Sequence, residues 1–232
     1  MPGQRVPDSM AMADTAGARA GMYALLAGVF GHLPDMNLVA RIKGRAFGEL
    51  IEHFHAMKDK RVRAGVECLK SYLSTAESRP DGDILNELAV DRTRITRAPG
   101  NTGLKPPYEG LYKRDETMGS CAIKLKDFYR STGFLPSEEV QEAPDYIGIE
   151  LDFMFNLCQR ESESWSAGKN AASAVSAQEE FLSDHLGSWV GEFCREAEKH
   201  ATTEFYRGLL ILLESLVSID LKYLQELARK IK

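Results

Sequence analysis

The stretch QEAPDYIGIELDFM, Gln141–Met154, crowds four carboxylates (Glu142, Asp145, Glu150, Asp152) around Pro144 and an apolar set that begins at Ile147. Proline suits the first turn of a helix, because the N–H it lacks would have no partner there. Asp145 then lies at the positive end of the helix dipole. Ile147, Leu151, Met154, Phe155 and Cys158 follow at helical spacing, which predicts a helix after Pro144 with this set towards the core. The charge is one-sided. Between Ser131 and Gln159 there are six acidic residues (Glu138, Glu139, Glu142, Asp145, Glu150, Asp152) and no Lys or Arg. Two readings fit: a solvated acidic face, or the rim of a site for a cationic, partly apolar partner.

The same period runs through most of the chain. Met22, Leu25, Leu26, Val29 and Phe30 form one apolar stripe, which Pro34 ends. Helical patterning continues through residues 38–57, 63–78 and 83–96, resumes over 119–133, and closes with a long helix from about Thr203 carrying Phe205, Leu209, Leu212, Leu213, Leu216 and Leu224. No run alternates long enough to build a sheet. The expected fold is all-α, a single helical domain of roughly eight to eleven helices.

Three segments break the pattern. Residues 1–14 read as a disordered tail. Residues 97–116 hold Pro99, Pro106 and Pro107 with three glycines and no period, so a long loop is expected between flanking helices of the part 15–163; its Tyr108, Leu111 and Tyr112 argue for a functional loop rather than a disordered one. Residues 164–176, small and polar, read as a flexible hinge before a C-terminal part, 177–232. Such a hinge permits exchange of that part between copies, so a monomer able to form a domain-swapped dimer is expected. Ser176 and Glu179 form an S-x-x-E pattern that would cap the next helix, with Phe181, His185, Leu186 and Trp189 along it.

Composition narrows the function classes. Hydrophobic residues make up 44% and charged residues 27% of the 232, ordinary for a globular chain. The formal net charge of −5 argues against non-specific nucleic-acid binding, which needs a basic field. Cys68, Cys121, Cys158 and Cys194 form no CxxC pair and read as reduced thiols in a cytoplasm, without a metal centre. The most apolar stretch, residues 208–221, is interrupted by Glu214 and Asp220 and is too short to span a bilayer, so no stable membrane association is expected. GMYALLAGVF, residues 21–30, reads as a helix of the mature protein rather than a leader core, since no basic stretch precedes it directly.

Catalytic signatures are sparse. The sequence has no GxGxxG, P-loop, GxSxG or HExxH pattern. His53 and His55, two apart on a helix, point in different directions and do not grip one metal. His185 beside Phe181 and Trp189 reads as half-buried. A small helical hydrolase using the Glu142–Asp152 carboxylates as an acid/base pair is the one catalytic alternative.

Several motifs, in order, resemble the TorD/DmsD/NarJ family of molybdoenzyme maturation chaperones. EAPDYIGIELDFM is similar to the family signature E-x-P-D-H-x-x-x-E-L-x-F-M, PPYEGLY to a second signature near P-Y-E-S-x-Y, and FLSDHLGSW to a segment F-x-x-x-H-L-x-x-W. The resemblance runs from about residue 16 to the end. It implies a cytoplasmic binding protein rather than an enzyme, with no cofactor of its own. The implied partner is the precursor of a molybdopterin oxidoreductase, together with its N-terminal twin-arginine signal peptide, held until cofactor insertion; an assembly factor binding only the mature client core is the alternative. Carried over, the client-binding residues are Glu142, Pro144 and Asp145 from the first motif, Pro107, Tyr108, Glu109 and Tyr112 from the second, and His185 and Trp189 from the third. Tyr146 stands where the signature has histidine, and Gly110 where the second has serine. Without that imidazole, nucleotide binding is not expected. In this reading Glu142, Asp145 and Glu150 meet the two guanidinium groups, a geometry suited to planar carboxylates. Tyr108, Leu111, Tyr112 and Tyr146 line a groove for the apolar part of the peptide.

Overall fold

A computed structural model describes residues 9–55, 59–97, 103–113, 118–136 and 141–231. Among these, every regular element is a helix: α1 Ser9–Gly31, α2 Met36–Lys43, α3 Arg45–His55, α4 Lys60–Ala76, α5 Asp81–Arg97, α6 Glu109–Tyr112, α7 Met118–Ser131, α8 Ile147–Ser166, α9 Ala172–Asp184, α10 Leu186–His200 and α11 Glu204–Ile231. The all-α expectation holds.

The chain divides into two compact units. The first is drawn from Met1–Gly31, Tyr108–Trp189 and Val217–Lys232, the second from His32–Pro107 and Val190–Leu216. The division therefore differs from the expected break at 164–176.

In the first unit α1 packs along α8, and α8 against α9. The approach of α1 to α8 is close: a Cβ on Gly148 would lie 2.5 Å from the Gly31 Cα, so glycine is required there. The same unit buries a cationic knot. Arg19 on α1 reaches Asp220 Oδ1 through Nε at 2.5 Å, Glu161 Oε2 through Nη1 at 2.6 Å and Gln178 Oε1 through Nη2 at 2.5 Å. Tyr23 adds a hydroxyl to Asp220 at 2.8 Å. Four helices (α1, α8, α9, α11) are thus tied by one side chain whose charge is met on all sides, the condition under which a buried ion is tolerated.

In the second unit α2 packs on α3, α4 and α5, and α3 on α4. Asp35 and Asp59 cap α2 and α4 by accepting the N–H groups of Leu38, and of Arg61 and Val62. Asp91, fully buried on α5, accepts the N–H and hydroxyl of both Thr202 and Thr203 and so caps α11 from a distant element. Thr203 Oγ1 in turn accepts the N–H of Tyr206.

Several local expectations are corrected. The tail is helical from Ser9, because Ala13, Ala16 and Ala20 have an apolar surface to bury against; residues 1–8 lie outside the described set. The pattern over 38–57 is two helices, broken where Gly44 takes an extended conformation and returns its N–H to Arg41. The hinge shrinks to the connection 167–171: α8 continues to Ser166, anchored by buried Trp165 on Glu161, and α9 starts at Ala172, whose N–H is held by Asn170. Ser176 therefore sits inside α9 and is not a cap. The helix expected through His185 and Trp189 stops at Asp184 and restarts at Leu186, with His185 at φ −118°, ψ −104°. The loop 97–116 holds one helical turn, α6; residues 98–102 and 114–117, like Glu138 and Glu139 and the side chains of His53 and His55, lie outside the described residues.

Candidate functional site

The two signature segments meet in the first unit. Tyr108 and Tyr146 form an isolated antiparallel bridge, with ring centroids 5.2 Å apart. Asp145 fixes the start of α6 twice: its carbonyl accepts the Glu109 N–H at 2.9 Å, and its carboxylate accepts the Gly110 N–H at 3.2 Å. The segment ahead of α8 thus serves as a cap for the helical turn of the other motif. Tyr129 on α7 donates its hydroxyl to the Pro144 carbonyl at 3.0 Å, and Tyr146 donates to the Phe30 carbonyl at 2.7 Å. Pro107, buried, immediately precedes this assembly.

Beneath it lies a polar layer. Glu109 is fully buried, and both its oxygens face His185 Nδ1, at 3.1 and 3.2 Å. Lys113, one turn on, places Nζ 2.5 Å from Glu109 Oε1 and also donates to the Asp184 carbonyl. Burial pushes the Glu109 carboxyl up, but the hydrogen bonds and charges of His185 and Lys113 prevail, and it lies below its ordinary value. Glu150 is also fully buried; its Oε2 accepts the Trp189 indole N–H at 3.2 Å. Trp189 in turn packs on Tyr112, centroids 5.4 Å apart. Burial raises both Asp145 and Glu150; the Gly110 N–H opposes the shift at Asp145, while the charge of Glu109 adds to it at both.

Under the His185 ring sits an aromatic cluster of Phe128, Tyr129, Phe134, Phe153 and Phe181. Phe153 and Phe181 meet edge to face at 4.6 Å, and Phe128 and Phe181 contact His185 at 5.6 and 5.4 Å. Such pairs contribute about 0.5–1.5 kcal/mol each beyond their buried area. Phe153 takes the core position that the sequence pattern assigned to Phe155, which is half-buried. The reason is that α8 is covered around its whole first turn, from Ile147 to Leu151, so a single apolar stripe does not describe it.

The twelve residues picked from the sequence therefore fall into two groups. Glu109, Tyr112, Asp145, Tyr146, Glu150, His185 and Trp189 are interior and hold the segments together, and Pro107 is buried just ahead of them in the chain. Tyr108, Leu111, Glu142 and Pro144 are half-buried and reach the surface, with the Tyr108 hydroxyl donating to Glu142 Oε2 at 2.6 Å. The expectation that Asp145 and Glu150 act as rim carboxylates is corrected: of the three, Glu142 alone is open to solvent. The groove expectation is corrected likewise, since Tyr112 and Tyr146 face inward. Sequence reading missed Lys113, Tyr129 and the Phe30 carbonyl. Lys113 was legible as the i+4 partner of Glu109; the others are long-range contacts without a local signal.

Comparison with known proteins now bears on this arrangement. The family model described as nitrate reductase delta subunit matches residues 56–195, more than half of the chain. The chain is similar to the perchlorate reductase assembly chaperone protein of Dechloromonas aromatica, 27% identical over 115 residues, which cover 50% of this chain and 51% of that protein. It is similar to chaperone protein TorD of Photobacterium profundum, 26% identical over 161 residues, covering 68% of this chain and 73% of that one. The selenate reductase assembly chaperone protein of Thauera selenatis is 33% identical over 91 residues, 39% of this chain and 47% of that protein. The chain thus spans about half to three-quarters of the length of these three relatives. The chain belongs to the nitrate reductase delta subunit family, the TorD/NarJ group.

Proposed function

We propose that this protein is a cytoplasmic chaperone for the maturation of a molybdopterin-dependent oxidoreductase. It binds the apo-enzyme and its twin-arginine signal peptide until the cofactor is in place. The observation that carries this reading is the family match across residues 56–195, together with relatives named as chaperones of reductases. The bridge Tyr108–Tyr146 supports a single docking place, because it sets the exposed parts of both signature segments side by side. Glu142 is the carboxylate offered to a guanidinium, flanked by Tyr108, Leu111 and Pro144. The interior residues Glu109, Asp145, His185 and Trp189 hold that surface in shape. No helix among the described residues is long and apolar enough to cross a membrane.

Titration of the purified protein with a synthetic twin-arginine leader, and with the same client lacking its leader, tests the reading. Binding of the leader, weakened by Tyr108→Ala, supports it. Binding of the leaderless client alone transfers the function to the mature core, the reading favoured by relatives named simply as assembly chaperones. An exposed Glu142–Arg pair contributes about 1 kcal/mol or less, so Glu142→Gln should weaken the leader by less than about tenfold.

The hydrolase alternative requires carboxylates that meet water. Glu150 has no exposure and Asp145 is engaged on the α6 backbone, which disfavours that role. Exchange of the C-terminal helices between copies would have to open at 167–171; light scattering at high concentration tests for the dimer.

A further inference from the structure

Glu150 has an oxygen that nothing satisfies. Its side chain is fully buried, Oε2 takes the Trp189 indole N–H, and Oε1 has no hydrogen-bond partner among the described residues. The groups facing it are known from each side: Glu109 on α6, Asp145 ahead of its own helix, Cys121 and Tyr129 on α7, and Trp189 on α10. The side-chain nitrogens nearby are taken. Lys113 and His185 both address Glu109, and Asp145 is answered by backbone N–H. An ionised Glu150 would be a third carboxylate in one dry layer, with an empty oxygen and no counter-charge, which a protein interior does not tolerate. A proton on Oε1 removes the charge and turns the orphan acceptor into a donor, with the Glu109 carboxylate beside it.

We infer that Glu150 is a neutral carboxylic acid in the folded chain, its Oε1 proton donated to Glu109, and that this shared proton positions the segment Tyr108–Tyr112 against α8. Glu150 is then a positioning residue for the half-buried Tyr108, Leu111 and Glu142. That last link to the client rests on the function proposed above; the proton itself does not. Burial and the neighbouring charges of Glu109 and Asp145 both favour the protonated form.

The sign of the pH effect follows. From the ordinary glutamate value of 4.5 upward, the folded chain keeps a proton that the unfolded chain releases. Stability from this group is therefore full below that pH and falls as pH rises towards the folded value, by up to about tenfold in the folding constant per pH unit. Glu109, shifted the other way, acts below 4.5 and leaves this window clear. Asp145 works in the same direction as Glu150, so the comparison needed is with a variant at position 150, not the slope of the wild type alone.

Glu150→Gln mimics the neutral acid: its carbonyl accepts from Trp189 and its amide donates to Glu109. Glu150→Leu keeps much of the volume and neither bond. Expected is a Gln variant whose folding constant rises relative to wild type by up to about tenfold per pH unit from about pH 5 upward. The backbone amides of Glu109 and Gly110 should stay protected from exchange in the Gln variant and lose protection in the Leu variant. In the infrared, wild-type protein with isotope-labelled glutamate should show a protonated-carboxyl carbonyl band at neutral pH that is missing from Glu150→Gln. A pH-independent difference between wild type and Glu150→Gln, or no such band, overturns the inference. Should the Gln variant fail to fold, the band in the wild type decides alone. None of these readouts involves a client, so a failure of leader binding would count against the proposed function and leave this inference standing.

Discussion

The hydroxyl of Tyr146 donates to the carbonyl of Phe30 at 2.7 Å, and this bond fastens the entrance of α8 to the last turn of α1. Tyr146 replaces the histidine of the family signature. Its longer side chain reaches a backbone acceptor 116 positions away while its ring packs on Tyr108. Tyr146→Phe should leave the ring contact and remove the hydroxyl's bond to the Phe30 carbonyl, at a cost of about 0.5–1.5 kcal/mol. Urea unfolding measures it; an unchanged midpoint would show that the bond contributes nothing net.

Arg19 should be among the most sensitive positions in the chain. Arg19→Met leaves Asp220 and Glu161 buried without their cation, and removal of one partner from such a knot costs about 3–5 kcal/mol. The double change Arg19→Met with Asp220→Asn should cost less than the sum of the two singles, since the charges that repel or starve each other leave together. Additive losses in chemical denaturation would argue against a shared network.

Acid should loosen the site through Glu109. Its folded carboxyl lies below the ordinary value of 4.5, so its contacts with His185 and Lys113 contribute stability above that pH, lost as pH falls through the lower folded value. Glu109→Gln should therefore flatten the acid limb of a stability–pH curve measured from about pH 5 downward. A variant whose acid limb matches the wild type would remove Glu109 as its source.

Asp91 carries the start of α11. Asp91→Ala removes the acceptor of four N–H and O–H donors from Thr202 and Thr203, and a loss of about 2 kcal/mol or more is expected, at the upper end for a cap. Hydrogen exchange should rise first at Tyr206, bonded to Thr203 Oγ1, and at Arg207, bonded to its carbonyl. Exchange rising evenly over the whole chain would instead report global loss of stability.

The helical spacing of apolar residues was enough to read the class of fold from sequence, because a 3.6-residue period is a local property and each amphipathic helix carries its own record of it. The motif order around Tyr108, Asp145 and His185 was enough to name the family, since motifs are linear. Helix ends were partly legible: Pro34 marks the end of α1, whereas the break at Gly44 was read through as continuous helix. What linear pattern did not contain was depth. Glu109, Asp145 and Glu150 look like surface carboxylates in a string of letters. They are interior because His185, Lys113, the α6 backbone and Trp189 arrive from other segments to satisfy them. The same holds for Arg19 and Asp91, whose partners lie more than a hundred residues away. Burial of a charge depends on the groups that fold around it, and those contacts exist only once the tertiary structure has formed.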